Sequence, residues 1–410
     1  MIVISSAVKK NNKELRAARY KNLPIFKRGE MLANIVALKK NIVVVVSAMN
    51  MGGAQRVVSI LCDHWSQNGY VVTLITTFTE EKVNHYQVNK DVALKYLSNS
   101  PFFPKNKTWD LFWKLIHLRM IIKSQNPDVV ISFLTRVNVA SALATIGIKS
   151  SLILCERTWT PFRSLNQKYF WMYRILFKGV DRIIVQTDTS KTWLSQNFPD
   201  CNVKVIPNPI VYPVPLHKER SICPNSVILQ NRKVILASGR MYTVPTNDKQ
   251  FDVLIRAFSQ IKDKFPDWDL IILGDGEERD NLNRMLFDLE ISDRVYLPGS
   301  VGNVAEWYER ADLFVLSSRV EGFPNVLLEA MAYGLPCISF DCDTGPRDII
   351  QDGVNGILVN PKEKELGLLN AINKMISNPK FRNKIANNSI LLRDKYSVSN
   401  IMQKWDNVLG

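Results

Sequence analysis

Short stretches centred on aliphatic residues recur along the chain at 41–47, 69–77, 128–133, 152–155, 181–187 and 203–210, and again at 233–240, 270–273, 294–299, 312–317, 337–340 and 357–359. The clearest, Ile42–Val46, is a continuous β-branched run without alternation, which predicts a parallel strand buried on both faces. Segments with helical apolar spacing lie between them, at 54–65, 109–123, 139–144, 251–258, 325–333 and 398–409. Strand and helix in alternation predict doubly wound α/β units, in which ligands gather where the strands end. Residues 211–231 carry proline and polar groups without a period and break the series in two. The expected domains are a segment at 1–40, a first domain at 41–212, a linker at 213–231, a second domain at 232–394 and a final helix at 395–410.

One stretch, 320–336, concentrates candidate chemistry. The run 312–317 feeds a loop carrying Glu321, then Pro324 and Asn325 open a helix that Gly334 and Pro336 close. N–H groups at Asn325 and Val326, at the positive end of the helix dipole, suit an anion such as a phosphate. Glu321 stands just before that point, and Glu329 about one turn inside, where a carboxylate accepts from a sugar diol. The pair suits a nucleotide-sugar, although two glutamates at this spacing also occur as solvated surface groups.

Other strand ends carry glycine turns: Gly52-Gly53 after the first run, Gly239-Arg240 with Lys249 downstream, Gly274 and Gly276, and Pro298-Gly299. Each lets a backbone approach a ligand closely, and each alone is equally an ordinary turn. Asp341 and Asp343 imitate an Asp-x-Asp metal motif, but their place late in a second α/β unit argues against that role. No metal site is expected, since His64, His85, His117 and His217 are unpaired in the sequence.

In this order the string from Glu321 to Pro336 resembles the Glu-x7-Glu signature of the retaining family 4 glycosyltransferases. The likeness spans roughly residues 42–395 and includes the Ile-Pro-Asn-Pro stop at 206–209. It implies the GT-B fold: two doubly wound Rossmann-like domains facing a cleft, with the last helix crossing back to the first domain. It further implies a sugar moved from a nucleotide-sugar, a UDP-sugar here, without a metal or other cofactor. Arg240 and Lys249 would neutralise the donor diphosphate, while Glu321 would lie by the donor sugar and Glu329 would hold the ribose. Pro298 and Gly299 would contact the base, with Gly239, Gly274 and Gly276 giving the nucleotide room. Gly52, Gly53, Arg136, Glu156 and Arg157 would face the cleft on the acceptor side.

The segments at 133–138, 155–157 and 181–187 look like the bacterial subgroup that adds N-acetylgalactosamine or another hexosamine to polyprenyl-diphosphate-linked glycans. By the same likeness Lys168, Arg174 and Lys178, with Arg163, would hold the acceptor diphosphate. Their helix also alternates aromatics and bases, which suits either a membrane interface or an ordinary buried aromatic face. Two departures stand out: the family's Lys-Gly is Lys249-Gln250, and its cleft histidine gives way to Glu156-Arg157. A sugar-nucleotide epimerase and a silent nucleotide-sugar-binding subunit share the same fold and remain alternatives.

Charge adds a location. The formal charge is +15, and residues 1–40 hold ten Lys or Arg against two Glu. Such a head suits an anionic membrane surface, the inner face of the plasma membrane for a cytoplasmic peripheral protein, or else is a flexible tail or a start set too early. Nucleic acid is not an expected partner. A secretory leader is not expected, and no apolar run reaches the ~18 residues of a spanning helix. Six scattered cysteines predict core thiols in a reducing compartment.

Overall fold

The computed structural model of the chain describes residues 2–4, 12–21, 25–27, 40–49, 52–77, 86–97, 107–158, 167–216, 220–242 and 248–409. Packing divides the chain into two compact units, 1–132 with 140–152, and 133–139 with 153–410.

All of the predicted apolar runs contain strands. A short parallel pair, β1 (Ile2–Ile4) and β2 (Ile25–Lys27), precedes them. The strands β3 (Asn41–Val46), β4 (Val71–Thr76), β5 (Ala93–Tyr96), β6 (Val129–Phe133), β7 (Ser151–Cys155), β8 (Arg182–Val185) and β9 (Val203–Val205) form a seven-stranded sheet. Its order is β5-β4-β3-β6-β7-β8-β9; the last residue of β6, Phe133, is assigned to the second unit, and the first two of β7, Ser151 and Leu152, to the first. Strand β3 is buried from Ile42 to Val46, whereas β5 at the sheet edge is not, as the aliphatic purity of the first and the polarity of the second dictate. The strands β10 (Lys233–Ser238), β11 (Trp268–Leu273), β12 (Val295–Gly299), β13 (Leu313–Leu316), β14 (Cys337–Phe340) and β15 (Ile357–Val359) form a six-stranded sheet. Its order is β12-β11-β10-β13-β14-β15, and its pairings are all parallel. The helix Phe251–Ser259 buries Phe251, Leu254, Ile255 and Phe258 against Ile235, Leu270 and Ile272, a stripe with the helical period.

These two parallel, helix-covered sheets give the Rossmann-like architecture that the alternation predicts. Local departures have physical reasons. The helix expected at 139–144 runs over Thr135–Thr145, because Leu134, at φ 77°, turns the chain sharply at the end of β6 and Asn138 N then bonds Leu134 O at 2.8 Å. Arg136 and Asn138 are therefore helical residues, not loop residues. The run at 181–187 pairs only over Arg182–Val185, since Thr187 leaves to cap the helix Asp188–Asn197, accepting from Ser190 N at 3.2 Å. The run at 203–210 pairs only to Val205. Ile210 instead donates to Tyr396 O at 2.8 Å, just before the final helix Val398–Leu409.

Part of the basic head is ordered by packing: the helix Lys13–Tyr20, capped by Asn12, buries Leu15 and Ala18, so a flexible tail is not what residues 12–21 form. The expectation of core thiols holds for Cys62, Cys155, Cys337 and Cys342, but Cys223 is exposed and Cys201 is half-buried. Among the described residues no helix is long and apolar enough to cross a membrane.

Candidate active site

The helix Asn325–Ala332 leaves the loop after β13 with Pro324 as its N-cap. Its own ladder begins with Leu327 N and Leu328 N, each 3.2 Å from Pro324 O, so Val326 N–H stands ahead of that ladder. Gly334, at φ 78°, ends the helix. Glu329, 6% exposed, accepts from the Tyr308 hydroxyl at 3.1 Å. Tyr308 is itself buried and lies 3.4 Å from Val326 O. A carboxylate so enclosed keeps one fixed direction, which is what recognition of a diol needs.

Glu321 lies in the loop before this helix, with its backbone carbonyl bound by the Thr344 hydroxyl. Its Oε1 is 2.6 Å from Lys249 Nζ. Lys249 is fixed in turn at its carbonyl by Ser317 Oγ at 2.7 Å, and its aliphatic stem passes over Gly239 so closely that a Cβ there would meet it at 3.1 Å. The residue after it, Gln250, sits at φ 47° and ψ 44°, the left-handed conformation that glycine adopts without cost. The Lys-Gln departure thus keeps the turn and accepts its strain.

Gly274 and Gly276 occur where no side chain fits. At Gly274, φ 133°, an added Cβ would lie 1.9 Å from Gly239 O, and at Gly276 2.3 Å from Met241 O. Gly274 N bonds Gly299 O and Gly239 N bonds Leu273 O, each at 2.9 Å, which ties the ends of β10, β11 and β12 together. Arg279, which no sequence motif marks, donates to Leu297 O at 2.8 Å beside Pro298 and Gly299. Arg240 is exposed, its guanidinium 5.8 Å from the Tyr242 ring centre, and with Lys249, Phe251 and Glu278 it lines a small cavity. Asp341 is engaged by Arg347 through two bonds of 2.9 Å, and no cluster of three or more His, Cys, Asp or Glu among the described residues is placed to hold a metal.

A second polar group gathers at the ends of β7 to β9. Glu156 is buried and accepts from Thr135 Oγ1 at 2.9 Å and Asn138 Nδ2 at 2.8 Å. Arg157, 7% exposed, rests 5.0 Å from the Phe133 ring centre and donates through Nη1 to Asn208 Oδ1 at 2.8 Å. Burial lowers its pKa, and burial also pushes the neighbouring Cys155 thiol up to about 12 although Arg157 opposes that rise. Asn208 Nδ2 donates onward to Asn325 Oδ1 at 2.7 Å. Gly322 approaches here as well: a Cβ on it would lie 2.4 Å from Arg157 O.

The structure therefore joins Lys249 to Glu321, and Arg157 through Asn208 to Asn325. Arg136, Arg174 and Lys178 are exposed. Tyr173 and Phe177 beside them are buried, with ring centres 4.9 Å apart, so this part of the aromatic face belongs to the fold rather than to a membrane. The side chain of Lys168 and all of Arg163 lie outside the described residues. Gly52 and Gly53 belong to the other compact unit, where Gly52 precedes the helix Gly53–Gln67 and a Cβ on it would meet Gln55 Oε1 at 2.4 Å. Tyr308 and Asn208 were invisible as site residues because their roles depend on partners far along the chain, 21 and 117 residues away.

Residues 51–211 match the family model described as Glycosyltransferase Family 4, and residues 220–391 the model described as Glycosyl transferases group 1. The chain is 28% identical over 377 residues to the amylovoran biosynthesis glycosyltransferase AmsD of Erwinia amylovora, covering 90% of this chain and 99% of that one. It is 26% identical over 364 residues to the GalNAc-α-(1→4)-GalNAc-α-(1→3)-diNAcBac-PP-undecaprenol α-1,4-N-acetyl-D-galactosaminyltransferase of Campylobacter jejuni, covering 88% and 96%. The crystal structure of Anabaena HepE in complex with UDP and glucose superposes with a TM-score of 0.72 at 19% identity, covering 90% of this chain and 98% of HepE.

Proposed function

Because the chain is a glycosyltransferase of the GT-B fold, we propose that it moves a hexosamine, N-acetylgalactosamine or a close relative, from a UDP-sugar onto a polyprenyl-diphosphate-linked glycan with retention of configuration. The observation that carries this reading is the set at one helix start: Glu329 held by Tyr308, Val326 N–H ahead of the ladder, and the Lys249–Glu321 pair in front of it. Glu329 takes the ribose hydroxyls, and the helix start with Lys249 and Arg240 takes the diphosphate. An incoming diphosphate competes with Glu321 for Lys249 and turns the Glu321 carboxylate toward the sugar. As the bond from C1 to the diphosphate oxygen breaks, its electron pair stays on that oxygen, where the same cations stabilise it. The acceptor hydroxyl supplies the new bond to C1 and passes its proton to the departing diphosphate oxygen.

The acceptor class rests on the Campylobacter relative, whose name states an undecaprenyl-diphosphate glycan, and on the exposed bases Arg174 and Lys178. Those bases suit the diphosphate, and the surplus of basic residues suits the inner face of a plasma membrane. The test is incubation with UDP-N-acetylgalactosamine and a synthetic polyprenyl-diphosphate glycan. A lipid product one hexosamine heavier, with the donor's anomeric configuration, is expected. Free epimerised sugar with no lipid product would replace this reading with the epimerase.

A further inference from the structure

The carboxylate assigned to the ribose is held by a stack of rings that leads away from the site. A phenol has one proton to give, and in Tyr308 it goes to Glu329 Oε2 at 3.1 Å, nearer than Val326 O at 3.4 Å. That bond forms only while the Tyr308 ring keeps its place, and two rings keep it there. Phe314 on β13 lies edge-on with centres 6.2 Å apart, and Tyr333 lies at 5.4 Å with the planes inclined by 36°.

Tyr333 ends the helix that carries Glu329, but its side chain is fixed from elsewhere in the chain. Its hydroxyl accepts from Val214 N at 3.0 Å, and the Tyr212 ring stands edge-on to it at 4.9 Å. Arg393 closes the stack. Its guanidinium carbon lies 3.6 Å from the centre of the Tyr212 ring, while its Nε donates to Ala332 O in the last turn of the same helix. Tyr212 and Val214 belong to the stretch without a period that separates the two series of strands. A buried carboxylate takes its direction from the group bonded to it, and that group takes its own from what packs against it.

We propose that Tyr333, set by Tyr212 and Val214, is a positioning residue for the ribose: it backs the Tyr308 ring and so keeps the bond that orients Glu329. The inference deepens the donor reading above and rests on it. It extends the donor site to the linker at 212–214, which the sequence marks only as a break.

The test is titration of UDP, and of dideoxy-UDP as the control that lacks the ribose diol, into the full chain. Wild type binds UDP more tightly than the control. Tyr333→Leu takes the ring from Tyr308 and weakens UDP about fivefold, with less than about a twofold change in the control. Tyr333→Phe keeps the ring, loses only the bond from Val214 N and retains at least about half of the UDP affinity. In a Tyr308→Phe background, where the bond to Glu329 is already gone, Tyr333→Leu adds less than about a twofold loss. A measurement on the wild type needs no variant to fold: because coupling is reciprocal, the Val214 amide exchanges more slowly with UDP bound than with the control bound. Equal weakening of both ligands by Tyr333→Leu, an undiminished loss in the Tyr308→Phe background, or the same Val214 exchange with either ligand overturns the inference and leaves the donor reading intact. A wild-type chain that ignores UDP, or binds it no better than the control, brings down the ribose assignment and this inference with it.

Discussion

The ends of the two sheets are built on different principles. At the six-stranded sheet the turns are made of backbone. Gly239, Gly274 and Gly299 lock together through tight approach, and partly exposed groups such as Arg240, Lys249 and Glu321 stand over them. At β7 to β9 of the seven-stranded sheet the polar groups are side chains, Glu156, Arg157, Asn138 and Asn208, buried and hydrogen-bonded in pairs. The first region is specified by shape and the second by hydrogen-bond polarity. Substitutions should therefore act by sterics in one and by donor–acceptor reversal in the other.

The sharpest break of that comparison is Gly274→Ala. Its Cβ would lie 1.9 Å from Gly239 O in a backbone conformation with φ 133°, so a loss of about 3 kcal/mol or more in denaturant unfolding is expected. A loss near zero would show that the strand ends are not interlocked. Next come the carboxylates of the same region. Glu321→Gln should lower turnover roughly a hundredfold with little change in donor affinity, whereas Glu329→Ala should weaken donor affinity roughly tenfold, both read by kinetics against direct binding. Wild-type behaviour in both variants would sink the assignment.

Smaller effects sharpen the picture. Gln250→Gly removes a left-handed side chain and should stabilise the fold by about 1 kcal/mol. Asp348 offers a pH test. Burial raises its pKa above the ordinary aspartate value, so the folded state holds the proton more tightly than the unfolded state. Its ionisation then costs stability at neutral pH, a cost that disappears as pH falls through the raised value. Asp348→Asn should remove this pH dependence, so the difference in unfolding free energy between variant and wild type should move in the wild type's favour as pH falls from 7 into the acid range.

The same contrast explains what was legible in the sequence. Aliphatic runs announced the strands because a parallel strand buried on both faces admits little else. The glycine turns and the 320–336 stretch stood out because their constraints are local: a positive φ, a helix start, a proline. The hydrogen bonds from Arg157 through Asn208 to Asn325 and the clamp of Tyr308 on Glu329 left no local trace, since Asn325 lies 117 residues from Asn208 and Glu329 lies 21 from Tyr308. The start of one helix was hidden for a related reason. Leu134 adopts φ 77° although leucine has no preference for it, and tertiary packing sets where the helix Thr135–Thr145 begins.

The central claim is that Glu329, Lys249 and the start of the helix at Asn325 hold a nucleotide-sugar. Its most direct test is the melting temperature of the wild type and of Glu329→Ala against UDP-, GDP- and ADP-hexosamines. At a hundredfold excess over Kd a ligand of the folded state contributes about 2.7 kcal/mol, enough for a clear upward shift. The account predicts a shift with a UDP-hexosamine that Glu329→Ala largely abolishes. No shift with any nucleotide, or one fully retained in Glu329→Ala, would contradict it.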